Sequence, residues 1–155
     1  MADLPFVHSI QTQEKFFNTT IACFEEKDSG YTPQAGMMTV TQHVAHTAQT
    51  VQWFLTGAFD PNGFDMNFEK HAQESNKVTS LAEAKKWMAT SCREAEALIR
   101  SKTMADFHVP IAGKIMGGLP RVVIFEALAD HTAHHRGSLA VYARLLGRKP
   151  AMPYL

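Results

Sequence analysis

Asp130-His131-Thr132-Ala133-His134-His135-Arg136-Gly137 lies within the longest helical pattern of the chain, which opens at Pro120 and closes at Gly147. Proline suits the first position of a helix and glycine the position just past its last turn. Between them Ile124, Leu128, His131, His135, Leu139, Tyr142 and Leu146 recur at helical spacing, the inward stripe of an amphipathic helix. Imidazoles therefore interrupt a run of core residues. On a helix, residues four apart stack one turn apart, about 5–6 Å between Cβ atoms. His131 and His135 are so placed, and two such imidazoles can hold one metal ion. His134 points partly away from them. Burying a neutral histidine without partners costs about 1–3 kcal/mol, and a metal bound by both rings removes that cost. A zincin is excluded, because Thr132 stands where His-Glu-x-x-His needs its glutamate.

Three more helices are expected. The first runs from about Ser9 to Glu26 on Phe17, Ile21 and Phe24, and stops at Lys27-Asp28-Ser29-Gly30. Tyr31 to Gly36 is then a loop by its Pro and Gly content, and a candidate wall for a site. The second helix opens on a capping box, Thr39-Val40-Thr41-Gln42, and runs to about Phe59, with Asp60-Pro61-Asn62-Gly63 after it. Val40, Val44, Thr47, Val51 and Leu55 form one stripe, and His43, His46, Thr50, Trp53 and Phe54 a neighbouring one. Either His43 or His46 can supply a third ligand to the His131/His135 pair, and periodicity leaves the choice open. Phe64 to Val78 has no clean period and is expected as a structured loop with a short helical turn, His71 exposed upon it. The third helix begins at a second capping box, Ser80-Leu81-Ala82-Glu83, and continues to about Ser101 as a core element with a charged outer face. In the connection from Thr103 to Leu119, Phe107 to Pro110 reads as extended, and Gly113, Gly117 and Gly118 suggest a lid or small hairpin. The phosphate-loop pattern Gly-x-x-x-x-Gly-Lys-Ser/Thr is absent. After Gly147 the tail folds back over the bundle.

With 155 residues the chain suits one domain, expected over 1–155. Fifteen Lys plus Arg balance fifteen Asp plus Glu, so the basic face of a nucleic-acid binder is missing. No apolar run approaches the roughly 20 residues of a membrane span. Met1-Ala2-Asp3-Leu4-Pro5 lacks the basic and apolar segments of a secretory leader. Cys23 and Cys92, far apart, make no disulfide framework and read as free thiols of a cytoplasmic protein.

Four helices without a strand pattern make an all-α four-helix bundle, in which ligands on facing helices project inward. The stretch His131-Thr-Ala-His134-His135-Arg136-Gly137-Ser138-Leu139, with Tyr142-Ala-Arg144-Leu-Leu-Gly147 and Pro153-Tyr154, resembles the signature of the DinB (DinB/YfiT-like) family. Met38 to Phe54 resembles the second helix of that family, and the similarity spans nearly the whole chain. Many members have Gln at Ser138, a departure that leaves the proposed ligands untouched.

The resemblance implies an up-down-down-up bundle with one divalent metal, zinc or nickel, on His46, His131 and His135; it is the motif match that selects His46 over His43. It also implies thiol chemistry: metal-dependent S-transfer from a low-molecular-weight thiol such as bacillithiol, mycothiol or glutathione to an electrophilic small molecule. Arg136 is then a candidate contact for a substrate carboxylate. The alternatives are a hydrolase using a metal-bound water, for which Glu126 and Asp130 are off-face bases at best, and a metal-binding stress-response bundle without turnover. A homodimer is expected from bundle precedent, with no nucleic-acid or membrane partner.

Overall fold

The computed structural model describes residues 5–154, so the leader reading at Met1 to Leu4 and the end of the tail at Leu155 lie outside the described residues. Among these residues the chain folds into five α-helices and no strand: α1 (Pro5–Ile21), α2 (Val40–Phe59), α3 (Phe68–Asn76), α4 (Leu81–Arg100) and α5 (Ile124–Leu145). None is long and apolar enough to cross a membrane.

The capping chemistry anticipated for α2 is present in full. Thr39 Oγ1 accepts from the Gln42 amide at 3.1 Å while Gln42 Oε1 accepts from the Thr39 amide at 2.8 Å. At α4, Ser80 Oγ accepts from the Glu83 amide at 3.3 Å. The remaining free amides of that turn, Leu81 and Ala82, donate to the Glu26 carboxylate at 3.1 and 2.9 Å. An anion there also meets the positive end of the helix dipole.

Several boundaries differ from the sequence reading. α1 starts at Pro5 rather than Ser9, and α5 at Ile124 rather than Pro120, with Arg121–Val123 forming a 3₁₀ turn between. α1 ends at Ile21 rather than Glu26, because Asp28 turns back to accept the Glu25 amide at 2.7 Å and closes a separate 3₁₀ turn. The 64–78 segment holds a true helix, α3, capped where Asn67 Oδ1 accepts from the Lys70 amide at 3.0 Å. Only Ser75 of α3 is buried, so its sequence carries no apolar stripe to announce it. Phe107 belongs to a 3₁₀ turn over Met104–His108 instead of an extended run. That turn is held by Asp106 Oδ2, which accepts from Thr103 N and Oγ1 at 2.7 and 2.8 Å. Beyond it the expected small hairpin forms: Ile111 N donates to Leu119 O at 2.8 Å and Gly118 N to Ile111 O at 3.0 Å.

α2 packs against α4 and α5, and α1 packs against α5 and α4. The core they share includes Phe17, Ile21, Val44, Val51, Leu55, Met88, Ile99, Ile124, Leu128 and Leu139, all buried. Helix α5 thus has one side on α2 and another on α1, which decides where its polar residues go. Gly147, at φ +72°, turns the chain out of α5 as anticipated.

Candidate metal centre

His46 projects from α2 toward α5, and His131 and His135 project from successive turns of α5 toward α2. The Nε2 atoms of His131 and His46 lie 3.2 Å apart, and those of His135 and His131 also 3.2 Å apart. One nitrogen from each ring lies within 4.8 Å of the others. Two nitrogens held at about 2.0–2.1 Å by a tetrahedral ion stand about 3.3 Å apart, so the two 3.2 Å spacings are those of ligands round one ion. Hydrogen bonding alone serves this arrangement poorly. An imidazole nitrogen offers one hydrogen or one in-plane lone pair, and His131 Nε2 faces two neighbours at once.

Electrostatics point the same way. Burial is the main cause holding His131 down to about 4 and His135 to about 2, with neighbouring histidines adding to it. Burial likewise lowers His46. The three rings are therefore neutral at pH 7, the form that binds a metal. His131 Nδ1 is buried and, among the described residues, has no hydrogen-bond partner. That cost is easier to explain if its other nitrogen serves a ligand. The residues present fit a divalent ion.

The structure also settles the geometry of His43, which sequence periodicity left level with His46. His43 is buried behind the cluster, its Nδ1 2.8 Å from His135 Nδ1 and its Nε2 3.3 Å from Tyr142 Oη. Tyr142 in turn donates to the Met38 carbonyl at 2.9 Å. The loop before α2 is thus the wall that its composition allowed for, with Tyr31 edge-on to Tyr142 at 6.0 Å between centroids. Sequence reasoning placed Tyr142 on the inward stripe and missed its partnership with His43. A lone phenol among aliphatics, seven residues after His135, was the available signal.

His134 is exposed, as its angle on the helix implied. Arg136 is turned about 100° from His135, and its guanidinium lies over Phe16 of α1 and Tyr154 of the tail, 5.6 Å from each centroid. It lines grooves on that side of α5 rather than the histidine cluster. Glu126 and Asp130 are exposed.

An aromatic wall leads from the cluster along α2. His131 meets Phe54 at 6.4 Å between centroids, Phe54 meets Trp53 at 5.2 Å, and Trp53 meets His71 at 6.5 Å. Beyond it is a cavity of about 430 Å³ lined by Gln49, Trp53, Asp60, Phe64, Asp65 and His71, among others. His71 was expected to be exposed; its side chain is 14% exposed and its Nε2 lies 3.5 Å from Asp65 Oδ2. The Trp53 indole donates to Asp65 O at 2.7 Å, drawing the loop over the helix.

A model of the DinB family matches residues 1–155. The chain belongs to the DinB family. No curated protein matches it. The match covers the helices that carry His46, His131 and His135.

Proposed function

We propose that this DinB protein binds one divalent metal ion, zinc or nickel, through His46, His131 and His135, and uses it to activate a low-molecular-weight thiol for S-transfer to an electrophilic small molecule. The four long helices are read as the DinB bundle in its up-down-down-up order, with α3 an addition to it. The observation that carries the proposal is the convergence of three neutral Nε2 atoms from two helices. A divalent cation held by uncharged ligands keeps its full charge, and so supplies the Lewis acidity that turns a thiol into a thiolate near neutral pH.

The residues around the cluster do the rest. Burial keeps the three imidazoles from being protonated in competition. Phe54 and Trp53 offer apolar surface beside the ligands. The cavity past them carries Asp60, Asp65 and Glu74 and, among its lining residues, no lysine or arginine. It suits a neutral or cationic electrophile better than a carboxylate. Arg136, committed to the α1 side, has no part in this reading. Hydrolysis is the weaker alternative: the nearest carboxylates in sequence, Glu126 and Asp130, are exposed and off the ligand face.

Metal analysis by mass spectrometry on wild type and on His46→Ala, His131→Ala and His135→Ala tests the first half. About one ion per wild-type chain, lost in each variant, is expected. Consumption of bacillithiol, mycothiol or glutathione with a chloronitroarene acceptor, dependent on that ion, tests the second. Ester hydrolysis without any thiol would replace the S-transfer reading. Metal bound with no turnover on either substrate set would leave a metal-binding protein.

A further inference from the structure

We propose that Tyr142 and His43 are positioning residues that lock His135 in the one neutral tautomer able to bind a metal, with the backbone carbonyl of Met38 setting the direction of the chain. The inference rests on the three-histidine reading for its purpose, though its structural content can be tested without any metal.

The argument starts from the end that has no choice. A carbonyl oxygen only accepts, so the 2.9 Å contact from Tyr142 Oη to Met38 O uses the phenol hydrogen. The neighbouring Thr32 hydroxyl, which also hydrogen-bonds Tyr142, has Gln34 O at 2.9 Å and Met37 O at 3.2 Å as acceptors for its own proton. Tyr142 Oη is left as an acceptor, and His43 Nε2 at 3.3 Å must carry the hydrogen it receives. His43 is buried, and at pH 7.5, above the ordinary imidazole value of about 6.5, its ring is neutral. A neutral ring has one hydrogen, so His43 Nδ1 presents a lone pair. At 2.8 Å from it, His135 Nδ1 is the donor. His135 Nε2 is then bare, facing His131 Nε2 at 3.2 Å.

The opposite polarity is equally complete between the two histidines but not at the end. Were Tyr142 to donate to His43, then His43 would donate to His135, and the His135 hydrogen would sit on Nε2 in the middle of the cluster. That polarity leaves Met38 O without its donor and blocks ligation. Of the three proposed ligands, among the described residues, only His135 has its far nitrogen held in this way; His131 Nδ1 is unpartnered. Apparent metal affinity falls by the fraction of molecules in the competent form, and partners behind a ligating histidine commonly account for about 10–100-fold in affinity.

Two measurements decide it. The first is ¹⁵N NMR of histidine-labelled, metal-free protein at pH 7.5, which reads the tautomer of each ring. Wild-type His135 is expected as the Nδ1–H form, and Tyr142→Phe should shift it toward Nε2–H. The second is zinc affinity by competition with a chromophoric chelator. His43→Leu and Tyr142→Phe should each weaken binding at least tenfold. His43→Asn, whose amide oxygen can take the place of Nδ1 as acceptor, should stay within about threefold of wild type. An Nε2–H tautomer for wild-type His135 overturns the proposal, as does His43→Asn losing as much affinity as His43→Leu, which would indicate packing alone. If wild type binds no zinc, the metal reading fails while the NMR result still judges the tautomer lock. Because that spectrum is taken on wild type, a variant that does not fold leaves the test intact.

Discussion

Arg148 grips Asp28, 120 residues before it, with both arms of its guanidinium. Nη2 donates to Oδ1 at 3.1 Å and Nη1 to Oδ2, while Nη1 also reaches the Cys23 carbonyl at 2.9 Å. Asp28 is 5% exposed, and the pair pins the start of the C-terminal tail to the turn that follows α1. The Arg148 hydrogen bonds hold the Asp28 carboxyl below its ordinary 3.8. In the folded state Asp28 therefore binds its proton more weakly than in the unfolded chain. Its contribution to stability is present above about pH 4 and is lost as pH falls through the depressed value. Arg148→Met should lower the melting temperature at pH 7, and its deficit relative to wild type should shrink below pH 4. Thermal melts of both proteins between pH 2 and 8 check this; a deficit unchanged at pH 2 would show that the arginine acts through packing.

Metal binding should appear as stability. An ion that binds only the folded state at 100 times its dissociation constant adds about 2.7 kcal/mol. For a chain of this size that raises the melting temperature by about 5–10 °C. The rise should vanish with chelator and be missing in His46→Ala, His131→Ala and His135→Ala. Scanning calorimetry with and without zinc measures it.

The pH dependence of that binding should be unusual for histidine ligands. Exposed imidazoles lose metal as protons compete near 6.5. Here burial holds His131 to about 4 and His135 to about 2 and lowers His46 as well, so zinc affinity should fall less between pH 8 and 5 than at a site of exposed imidazoles. The same burial makes the metal-free fold sensitive to acid. Below 6.5 the unfolded chain takes up protons that the folded rings refuse until about 4, so stability should decline across that window as pH falls. Urea titrations of metal-free protein at pH 7, 6 and 5 test the decline, and chelator competition at the same values tests the weakened pH dependence of zinc affinity.

Gly57 has a specific job on α2. A Cβ at Gly57 would lie 2.3–2.8 Å from atoms of the Phe64 ring, which itself packs at a tilt against Trp53 at 4.6 Å between centroids. Alanine in mid-helix usually gains about 1 kcal/mol over glycine. In this position Gly57→Ala should instead lower stability and displace Phe64 from the cavity wall. A changed Trp53 emission in a Trp87→Phe background, together with a lower melting point, is the expected result; a stabilised protein with unchanged emission would refute it.

Much of this was readable before folding. The four long helices announce themselves through apolar periodicity and caps, and the His131/His135 pair through its spacing of four. α3 does not, since a helix that buries only Ser75 leaves no periodic trace. The third ligand was not readable from spacing either. His43 and His46 are three apart and share one side of α2, so both come close to His135. What separates them is which ring nitrogen meets which: His43 Nδ1 lies 2.8 Å from His135 Nδ1, while His46 Nε2 lies 3.2 Å from His131 Nε2. That depends on the relative depth of α2 and α5, set by contacts far along both helices. Resemblance to the family supplied the choice that periodicity withheld.

The hydrogen-bonded chain behind His135 ends on an atom that every amino acid possesses. Because Met38 contributes its carbonyl and not its thioether, its side chain can change freely while the fold keeps that oxygen in place. His43 and Tyr142 have no such latitude. Sequence variation at position 38 would therefore carry no record of the part it plays, and the terminus of the relay is visible only in three dimensions.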